Sequence, residues 1–191
     1  MTSDSAVRLA YIAAAMYGLA LAFALAVVLA RSPKPVTPAF DAVAECSPED
    51  LAHYCRGARA RVSSFHAFGS HHPIYAIDGR SSEDLVEKWV SAPNDDAPWI
   101  DVLFPEPVSF STVRLSHAGT AEASDYTMRS YRLSCSAGAE VRGSLGIHSN
   151  EAPRPLHPLR CRNVDRLRLD FDVEPGTARE LVRLYEVEVA P

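Results

Sequence analysis

The stretch Asp165–Asp172, which reads DRLRLDFD, decides the fold class, because from Arg166 onward charged and apolar residues alternate along it. Leu167, Leu169 and Phe171 share one parity, and charged side chains take the other parity. A period of two is the pattern of a β-strand that buries one face and leaves the other face in water. The stretch therefore predicts a half-buried strand.

The same alternation recurs in other parts of the chain. The further predicted strands are Trp99–Phe104, which ends at Pro105, then Phe110–His117, Ser130–Ser136 and Leu181–Val189. The last of them changes parity, and a bulge near Arg183–Tyr185 would restore it. Short strands with one apolar face, joined by loops that contain proline and glycine, predict an all-β fold, an antiparallel sandwich.

Composition limits the class of protein. The chain has 191 residues, 47% of them hydrophobic, and a net charge of −5. These values predict one globular domain with room for a tail or an anchor, and they exclude a wholly disordered chain. No nucleic-acid partner is expected, because nucleic-acid-binding proteins carry a strong basic excess. No enzyme activity is expected either, because the sequence lacks the nucleophile-elbow, phosphate-loop and His-Glu-x-x-His motifs.

The N-terminal part differs from the rest. Residues 1–8 precede an uncharged segment, 9–30. Roughly 22 apolar residues suffice to cross ~30 Å of hydrocarbon, so 9–30 is predicted to be a transmembrane anchor. A cleaved secretory signal ending at Val28-Leu29-Ala30 and a buried soluble helix are the alternatives. Every fourth residue is small, which favours a helix that packs on a partner in the bilayer: Ala10, Ala14, Gly18, Ala22, Ala26 and Ala30.

A proline-rich linker, 31–45, follows, and then a short helix is predicted over 46–57. Its two cysteines, Cys46 and Cys55, are spaced so that they can form a disulfide, which requires an oxidising compartment. Residues 1–8 are therefore expected in the cytoplasm, and the domain 58–191 in the periplasm or outside the cell. Cys135 and Cys161 both have apolar parity, so they either pair across the core or remain buried thiols.

Several motifs, in order, resemble the discoidin family, the C-type domain of coagulation factors V and VIII, whose fold is called galactose-binding-like. They are Ser63-Ser64, Ala76-Ile77-Asp78-Gly79, Trp89-Val90-Ser91, Trp99-Ile100-Asp101-Val102, Tyr131–Ser136, Arg166–Leu169 and Leu184–Val189. The resemblance covers about residues 58–190 and implies an eight-stranded jelly-roll sandwich. The chain departs from the family in its longer segment Ser81–Glu87, in Glu87 where the family has threonine, and in having no cysteine after Cys161.

The resemblance also implies a structural calcium ion, because carbohydrate-binding relatives often hold one beside the Asp-Gly turn. Calcium takes several oxygen ligands, and here they would come from Asp78, Glu87 and Glu186 together with carbonyls of residues 80–83. The alternative is that Asp78 only accepts backbone N–H bonds within its turn.

A sugar site needs flat apolar rings together with hydrogen-bonding side chains. The loop Phe65–Tyr75 offers both, and in the resembling modules this loop lies at the end where ligands often bind. The predicted ligand-binding residues are Phe65, His66, Phe68, His71, His72, Asn94 and Arg129, with Asp95 and Asp96 beside them. Alternatives are that the Phe rings fill the core, that Phe68 inserts into a membrane, or that the three histidines bind a transition metal, for which adjacent histidines rarely have the geometry.

The sequence thus predicts a single-pass, membrane-anchored module of a bacterium, displayed outside the cytoplasmic membrane, that binds a glycan or an envelope polysaccharide without catalysis. The alternative is a structural or accessory subunit of a membrane protein complex, docked through the sandwich and the small-residue face of the anchor. Exposed aromatic rings on the Phe65–Tyr75 loop would favour glycan binding. Burial of both rings would favour the accessory subunit.

Overall fold

The computed structural model describes residues 46–69, 71–80 and 87–191. These residues contain the strands β1 Arg59–Val62, β2 Trp89–Val90, β3 Trp99–His117, β4 Ser130–Ala137, β5 Glu140–Ile147, β6 Leu156–Asp172 and β7 Arg183–Ala190. Short 3-10 helices lie at Tyr54–Arg56, Pro73–Ala76, Ala118–Thr120 and Ser124–Tyr126.

The predicted N-terminal segment 1–8, anchor 9–30 and linker 31–45 lie outside the described residues. The longer segment Ser81–Glu87 is described only at its last residue. Among the residues that are described, no helix has the length and the apolar character needed to cross a membrane.

The two long strands, β3 and β6, connect the layers of the sandwich. The strand order is β2-β7-β3-β6-β4-β5, and β1 also pairs with β3. The first half of β3 pairs with β1 and with the second half of β6, which continues into β4 and β5. The second half of β3 pairs with β7, which pairs with β2. All pairs are antiparallel, so the predicted all-β antiparallel sandwich is confirmed.

The core lies between the two layers, as the alternation along Asp165–Asp172 predicts. Leu167, Leu169 and Phe171 are buried, and the ring of Phe171 lies 6.1 Å from that of Trp89 in the other layer. Removing such side chains from water is the main favourable term in the folding of a domain.

Both cysteine pairs form disulfides in the structure. Cys46 is joined to Cys55, and Cys135 is joined to Cys161. The second bond was left open by the sequence, and it links β4 with the first half of β6 inside the core. A side chain at Gly143 would meet the Cys135 sulfur at 3.1 Å, so this glycine allows β5 to lie over the disulfide.

The predicted end of a strand at Pro105 is wrong, because β3 continues to His117. Its pairing with β6 slips between Leu103 and Val108, and the residues between them form a bulge. Pro105 and Pro107 are exposed in that bulge. Proline has no backbone N–H to give to a ladder, so a bulge accommodates it without the loss of a hydrogen bond.

The predicted short helix over 46–57 is also wrong, because only the turn Tyr54–Arg56 is helical. Asp50 and Leu51, which precede this turn, form hydrogen bonds with strand β7 instead. The N–H of Leu51 donates to the carbonyl of Val189 at 2.8 Å, and the Asp50 carboxylate accepts from the N–H of Val189 at 2.8 Å. A donor satisfied by a neighbouring strand has no need of a carbonyl four residues back, so tertiary contacts replace the helix here.

The predicted bulge near Arg183–Tyr185 is confirmed. On β7 the pairing with β3 passes from Glu186 directly to Leu184, which leaves Tyr185 without an opposite residue. Residues of both parities are buried around the bulge, Glu186 among them. The sequence missed β1, β2 and β5, because β1 and β2 are short and β5 carries a weak apolar pattern with two glycines.

Candidate functional site

Two aromatic side chains project from the loop that follows β1. Phe68 is 80% exposed and Phe65 is 48% exposed, so neither fills the core. The Phe65 ring centroid lies 5.8 Å from that of His72. The ring of His66 lies 5.9 Å from Phe68 and 5.7 Å from His71. The loop therefore carries its predicted ligand-binding rings in two contact groups, Phe65 with His72 and His66 with Phe68 and His71. We call these five side chains together the ring cluster.

Local hydrogen bonds shape the ring cluster. Nδ1 of His66 accepts from the backbone N–H of Phe68 at 3.3 Å, and Nδ1 of His72 caps the turn Pro73–Ala76. The backbone N–H of His66 donates to the carbonyl of Val90 at 2.8 Å, which ties the loop to β2. Burial lowers the pKa of His72, so its ring is neutral at neutral pH. A neutral imidazole can both donate and accept, which suits the hydroxyl groups of a sugar.

Asp95 ties the loop before β3 to Ser63 and Ser64, the two residues that precede the ring cluster. Its carboxylate accepts hydrogen bonds from the hydroxyls of Ser63 and Ser64 and from the N–H of Ala97. Burial raises the pKa of Asp95, but these hydrogen bonds outweigh burial and lower the pKa overall. Asp95 therefore holds two loops together, and the exposed amide of Asn94 is the group that faces solvent beside it.

Arg129 belongs to a different pair of loops. Its carbonyl accepts from the backbone N–H of Asn150 at 2.9 Å. Its side chain is exposed and forms no ion pair within the described part of the chain. No described contact joins Arg129 to the ring cluster. Asn94 is nearer to the ring cluster in the chain's contacts, because its neighbour Asp95 bonds to Ser63 and Ser64, which directly precede the cluster.

The predicted metal ligands fall into two groups. Asp78 and Glu186 are both buried, and Oε2 of Glu186 accepts from the N–H of Gly79 at 2.9 Å. Its Oε1 has no hydrogen-bond partner among the described residues. Burial raises the pKa of Asp78 to about 6, and burial followed by the charge of Asp78 raises the pKa of Glu186 well above its usual value. The pair is therefore a place where a proton or a cation stabilises the folded chain.

Glu87, the third predicted ligand, is not part of this buried pair. Its carboxylate lies 2.9 Å from the guanidinium of Arg80 and is partly exposed. An ion pair of this kind holds the carboxylate at the surface. The structure therefore brings Asp78 and Glu186 together and leaves Glu87 bonded to Arg80.

Sequence reasoning missed a second group of histidines, which lies inside the domain. The hydroxyl of Tyr131 lies 2.9 Å from Nε2 of His157, and the Tyr131 ring centroid lies 5.5 Å from that of His117. Neither ring nitrogen of His117 has a hydrogen-bond partner among the described residues, and burial lowers its pKa to about 3. The signal was available, because His117 follows Val113 and Leu115 on the apolar parity of its strand.

No known protein family matches the sequence by its profile, and no curated protein matches it. Solved structures do match. A chitosan-binding module from a chitosanase/glucanase of Paenibacillus sp. IK-5 has a TM-score of 0.58 and 22% identity, over 74% of this chain and 98% of that module. The lectin domain of lectinolysin, complexed with Lewis B antigen, has a TM-score of 0.60 and 16% identity, over 75% and 96%.

A family 32 carbohydrate-binding module from Clostridium perfringens, in complex with GalNAc-β-1,3-galactose, has a TM-score of 0.59 and 14% identity, over 74% of this chain and 99% of that module. Identities this low establish a shared fold and leave the ligand to be argued from the residues. The described domain therefore has the galactose-binding-like β-sandwich fold of carbohydrate-binding modules.

Proposed function

We propose that the domain binds a glycan without catalysis, through the ring cluster and the adjoining Asn94. The observation that carries the proposal is the exposure of Phe68 and Phe65. Solvent contact of a large aromatic ring at a loop tip costs free energy unless a partner covers it. The apolar C–H face of a sugar ring is such a partner, and the neighbouring histidines supply the hydrogen bonds that fix its orientation.

The fold supports this assignment, because three matched structures are carbohydrate-binding modules or a lectin domain. The acidic surroundings of the loop also favour a glycan over a membrane. Asp96 is exposed beside Asn94, and Asp95 is an ionised carboxylate in the same loop. Negative charge next to an inserting phenylalanine would oppose binding to anionic lipid.

The test is a glycan-array screen of the full-length protein in mild detergent. We expect saturable binding to one class of sugar, and loss of that binding when Phe65 and Phe68 are both replaced by alanine. The matched control replaces Val141 and Leu156, two exposed apolar residues outside the loop, and should bind as the unchanged protein does. Equal binding by both double variants would disprove the ring cluster as the site. A folded protein that binds no glycan would favour the accessory-subunit alternative.

We further propose that Asp78 and Glu186 hold a calcium ion. The fit rests on the unpartnered Oε1 of Glu186 beside a second buried carboxylate. Calcium prefers charged oxygen ligands of this kind, and bound calcium would neutralise two carboxylates that burial disfavours as anions. Glu87 is a weaker ligand candidate because it is paired with Arg80.

Calcium should therefore stabilise the fold in a pH-dependent manner. The pKa of Asp78, about 6 in the folded chain, lies above its unfolded value, so the carboxyl stabilises the fold most at low pH and loses that contribution as pH rises through about 6. Calcium replaces the proton above that pH. We expect calcium to raise the melting temperature at pH 7.5 and to have little effect at pH 5. Glu186→Gln should abolish the calcium response, and an unchanged response in that variant would disprove the site.

The membrane anchor at 9–30 and an extracytoplasmic location for the domain are retained as parts of the proposal. They are supported by the uncharged segment and by the Cys46–Cys55 disulfide, a bond typical of oxidising compartments. Extraction of membranes with alkaline carbonate should leave the protein in the pellet. Protease added outside intact inner-membrane vesicles of right-side-out orientation should digest the domain, and protection of the domain would contradict the proposed location.

A further inference from the structure

A polar cavity lies on the layer formed by β6, β4 and β5. It has a volume of about 240 Å³ and is lined by Tyr131, Arg132, Gly146, His148, Asp170 and Asp172. None of these residues belongs to the ring cluster or to the acid pair of Asp78 and Glu186. Pockets for drug-sized ligands span ~300–1,000 Å³, so this smaller cavity fits a molecule the size of one sugar ring.

Strand register explains how the cavity arises. Arg132 on β4 lies opposite Gly146 of β5 on one side and opposite Asp170 of β6 on the other. Trp99 on β3 also lies opposite Asp170. Gly146, Arg132, Asp170 and Trp99 therefore form one row of residues across four strands, which we call the row. Because Gly146 has no side chain, the outward face of the sheet is open beside Arg132 on the side of β5.

The charges along the row leave donors and acceptors available to a ligand. Asp170 accepts from Nε of Arg168 at 2.8 Å, and Arg168 also pairs with Asp101 at 3.2 Å. Arg132 lies directly across from Asp170, yet it makes no ion pair within the described part of the chain. Asp172 is exposed on the same face of β6 and likewise has no ion-pair partner among the described residues.

We propose that this cavity binds one sugar ring that carries vicinal hydroxyl groups and no negative charge, as a second subsite of the module. The inference rests on the glycan binding proposed above. A carboxylate accepts hydrogen bonds from two adjacent hydroxyls, and the planar guanidinium of Arg132 donates to hydroxyl or ring oxygens. The lining holds two carboxylates, Asp170 and Asp172, against the single guanidinium of Arg132. An acidic sugar would therefore meet a net negative charge, whereas the amine of an amino sugar would be attracted to it.

The surface between the subsite and the ring cluster has a length and an aromatic ring that suit an extended glycan bound at both places. The cavity lies on β4, three strand spacings from β1, which is a distance of roughly 14 Å. Trp99 occupies the intervening position, and the guanidinium of Arg168 lies 4.2 Å from its ring centroid, which fixes the ring in place. The backbone N–H of Trp99 donates to the Ser63 hydroxyl at 3.0 Å, at the base of the ring-cluster loop.

Gly146→Val is the sharpest test variant. A Cβ at this position meets only Nε2 of His148, at an ordinary contact distance of 3.5 Å, so the variant should fold. Valine suits an edge strand and places its methyl groups in the cavity. Asp172→Asn and Arg132→Gln remove single polar partners and should each weaken binding about 10- to 100-fold. Arg162→Gln, an exposed arginine elsewhere on β6, is the matched control and should bind as the unchanged protein does.

The measurement is a nuclear magnetic resonance titration of the full-length protein in mild detergent with trimers of glucosamine, N-acetylglucosamine and galacturonic acid. We expect saturable shifts of the Gly146 and Arg132 amide signals with the first two probes, weaker shifts with the third, and no shifts in Gly146→Val. Retention of these shifts when Phe65 and Phe68 are alanine would establish that the subsite is separate from the ring cluster.

Three results would overturn the second subsite: no shift at Gly146 with any probe, equal shifts with galacturonate, or unchanged shifts in Gly146→Val. Each of them leaves the proposed function standing if the unchanged protein binds glycans on the array. Failure of array binding with retained shifts at Gly146 would instead overturn the ring cluster and support the subsite.

Discussion

Two groups of histidines occupy contrasting regions of this molecule. Those of the ring cluster lie in a loop, where His66 contacts both His71 and the exposed Phe68. Nδ1 of His66 and Nδ1 of His72 accept hydrogen bonds from the backbone of that loop. Those of the interior, His117 and His157, pack around the ring of Tyr131. The comparison teaches that burial, and not the residue type, decides whether an imidazole is available to a ligand or is fixed in the core.

The two regions also differ in how their polar atoms are satisfied. In the loop, water or a ligand can reach the imidazoles of His66 and His72. In the interior, His117 has no hydrogen-bond partner among the described residues, so the protein holds it as a neutral ring. Burial of an unpaired polar group costs free energy, and the cost rises steeply when the group becomes charged. The interior region should therefore control stability, and the loop should control binding.

Replacement of Tyr131 should lower the free energy of unfolding more than any other change proposed in the interior region. Tyr131 is 2% exposed and contacts His117 and His157 as well as Phe171. Tyr131→Ala removes a large core ring, so the free energy of unfolding should fall by about 3–5 kcal/mol. Tyr131→Phe removes only the hydroxyl that contacts His157, and the loss should be about 1–3 kcal/mol.

Chemical denaturation at pH 7 measures both losses for Tyr131. A loss below ~1 kcal/mol for Tyr131→Ala would contradict the packing described here.

His117 should make the fold sensitive to acid. Burial depresses its pKa to about 3 in the folded chain, below the unfolded value of 6.5, so the unfolded chain binds more protons between those pH values. Stability therefore falls as pH falls through that window, by about 2 kcal/mol from this residue between pH 7 and pH 5.

His117→Leu should remove that part of the pH dependence. The experiment compares the unfolding free energies of His117→Leu and the unchanged protein from pH 7 to pH 5. The difference isolates His117 from the carboxyls of Asp78 and Glu186, whose raised pKa values act in the opposite direction. Parallel profiles for the two proteins would show that His117 is protonated without cost.

The sequence predicted the fold class well because alternation along Asp165–Asp172 reports burial directly. It failed where tertiary contacts override local pattern, as in the segment 46–57, where Asp50 and Leu51 bond to β7 instead of forming a helix. It also placed a strand end at Pro105, since a proline that lies in a bulge is indistinguishable in sequence from one that ends a strand.

For the candidate site, the sequence predicted which rings share a loop but not which face solvent. The loop Phe65–His72 has no periodicity from which burial can be inferred, so the exposure of Phe68 needed the structure. The row that joins Arg132 to Gly146 was beyond sequence reasoning, because it depends on the register of strands that are distant in the chain. The alternation along one strand shows which of its side chains share a face. A site that spans several strands can be predicted only when the pairing register of those strands is known.

The loop histidines should give the smallest effect on stability and a clear effect on binding. His66→Ala removes a partly exposed ring whose main partners are within its own loop, so the free energy of unfolding should change by less than about 1 kcal/mol. Glycan affinity should fall by about 10-fold if the ring hydrogen-bonds a hydroxyl, because one such bond contributes ~1–1.5 kcal/mol. Isothermal titration and chemical denaturation of the same preparation measure the two quantities. A His66→Ala variant that loses stability but keeps its glycan affinity would contradict this prediction. The loop histidines would then stabilise the fold, as the interior histidines do, and only the exposed phenylalanines would contact the glycan.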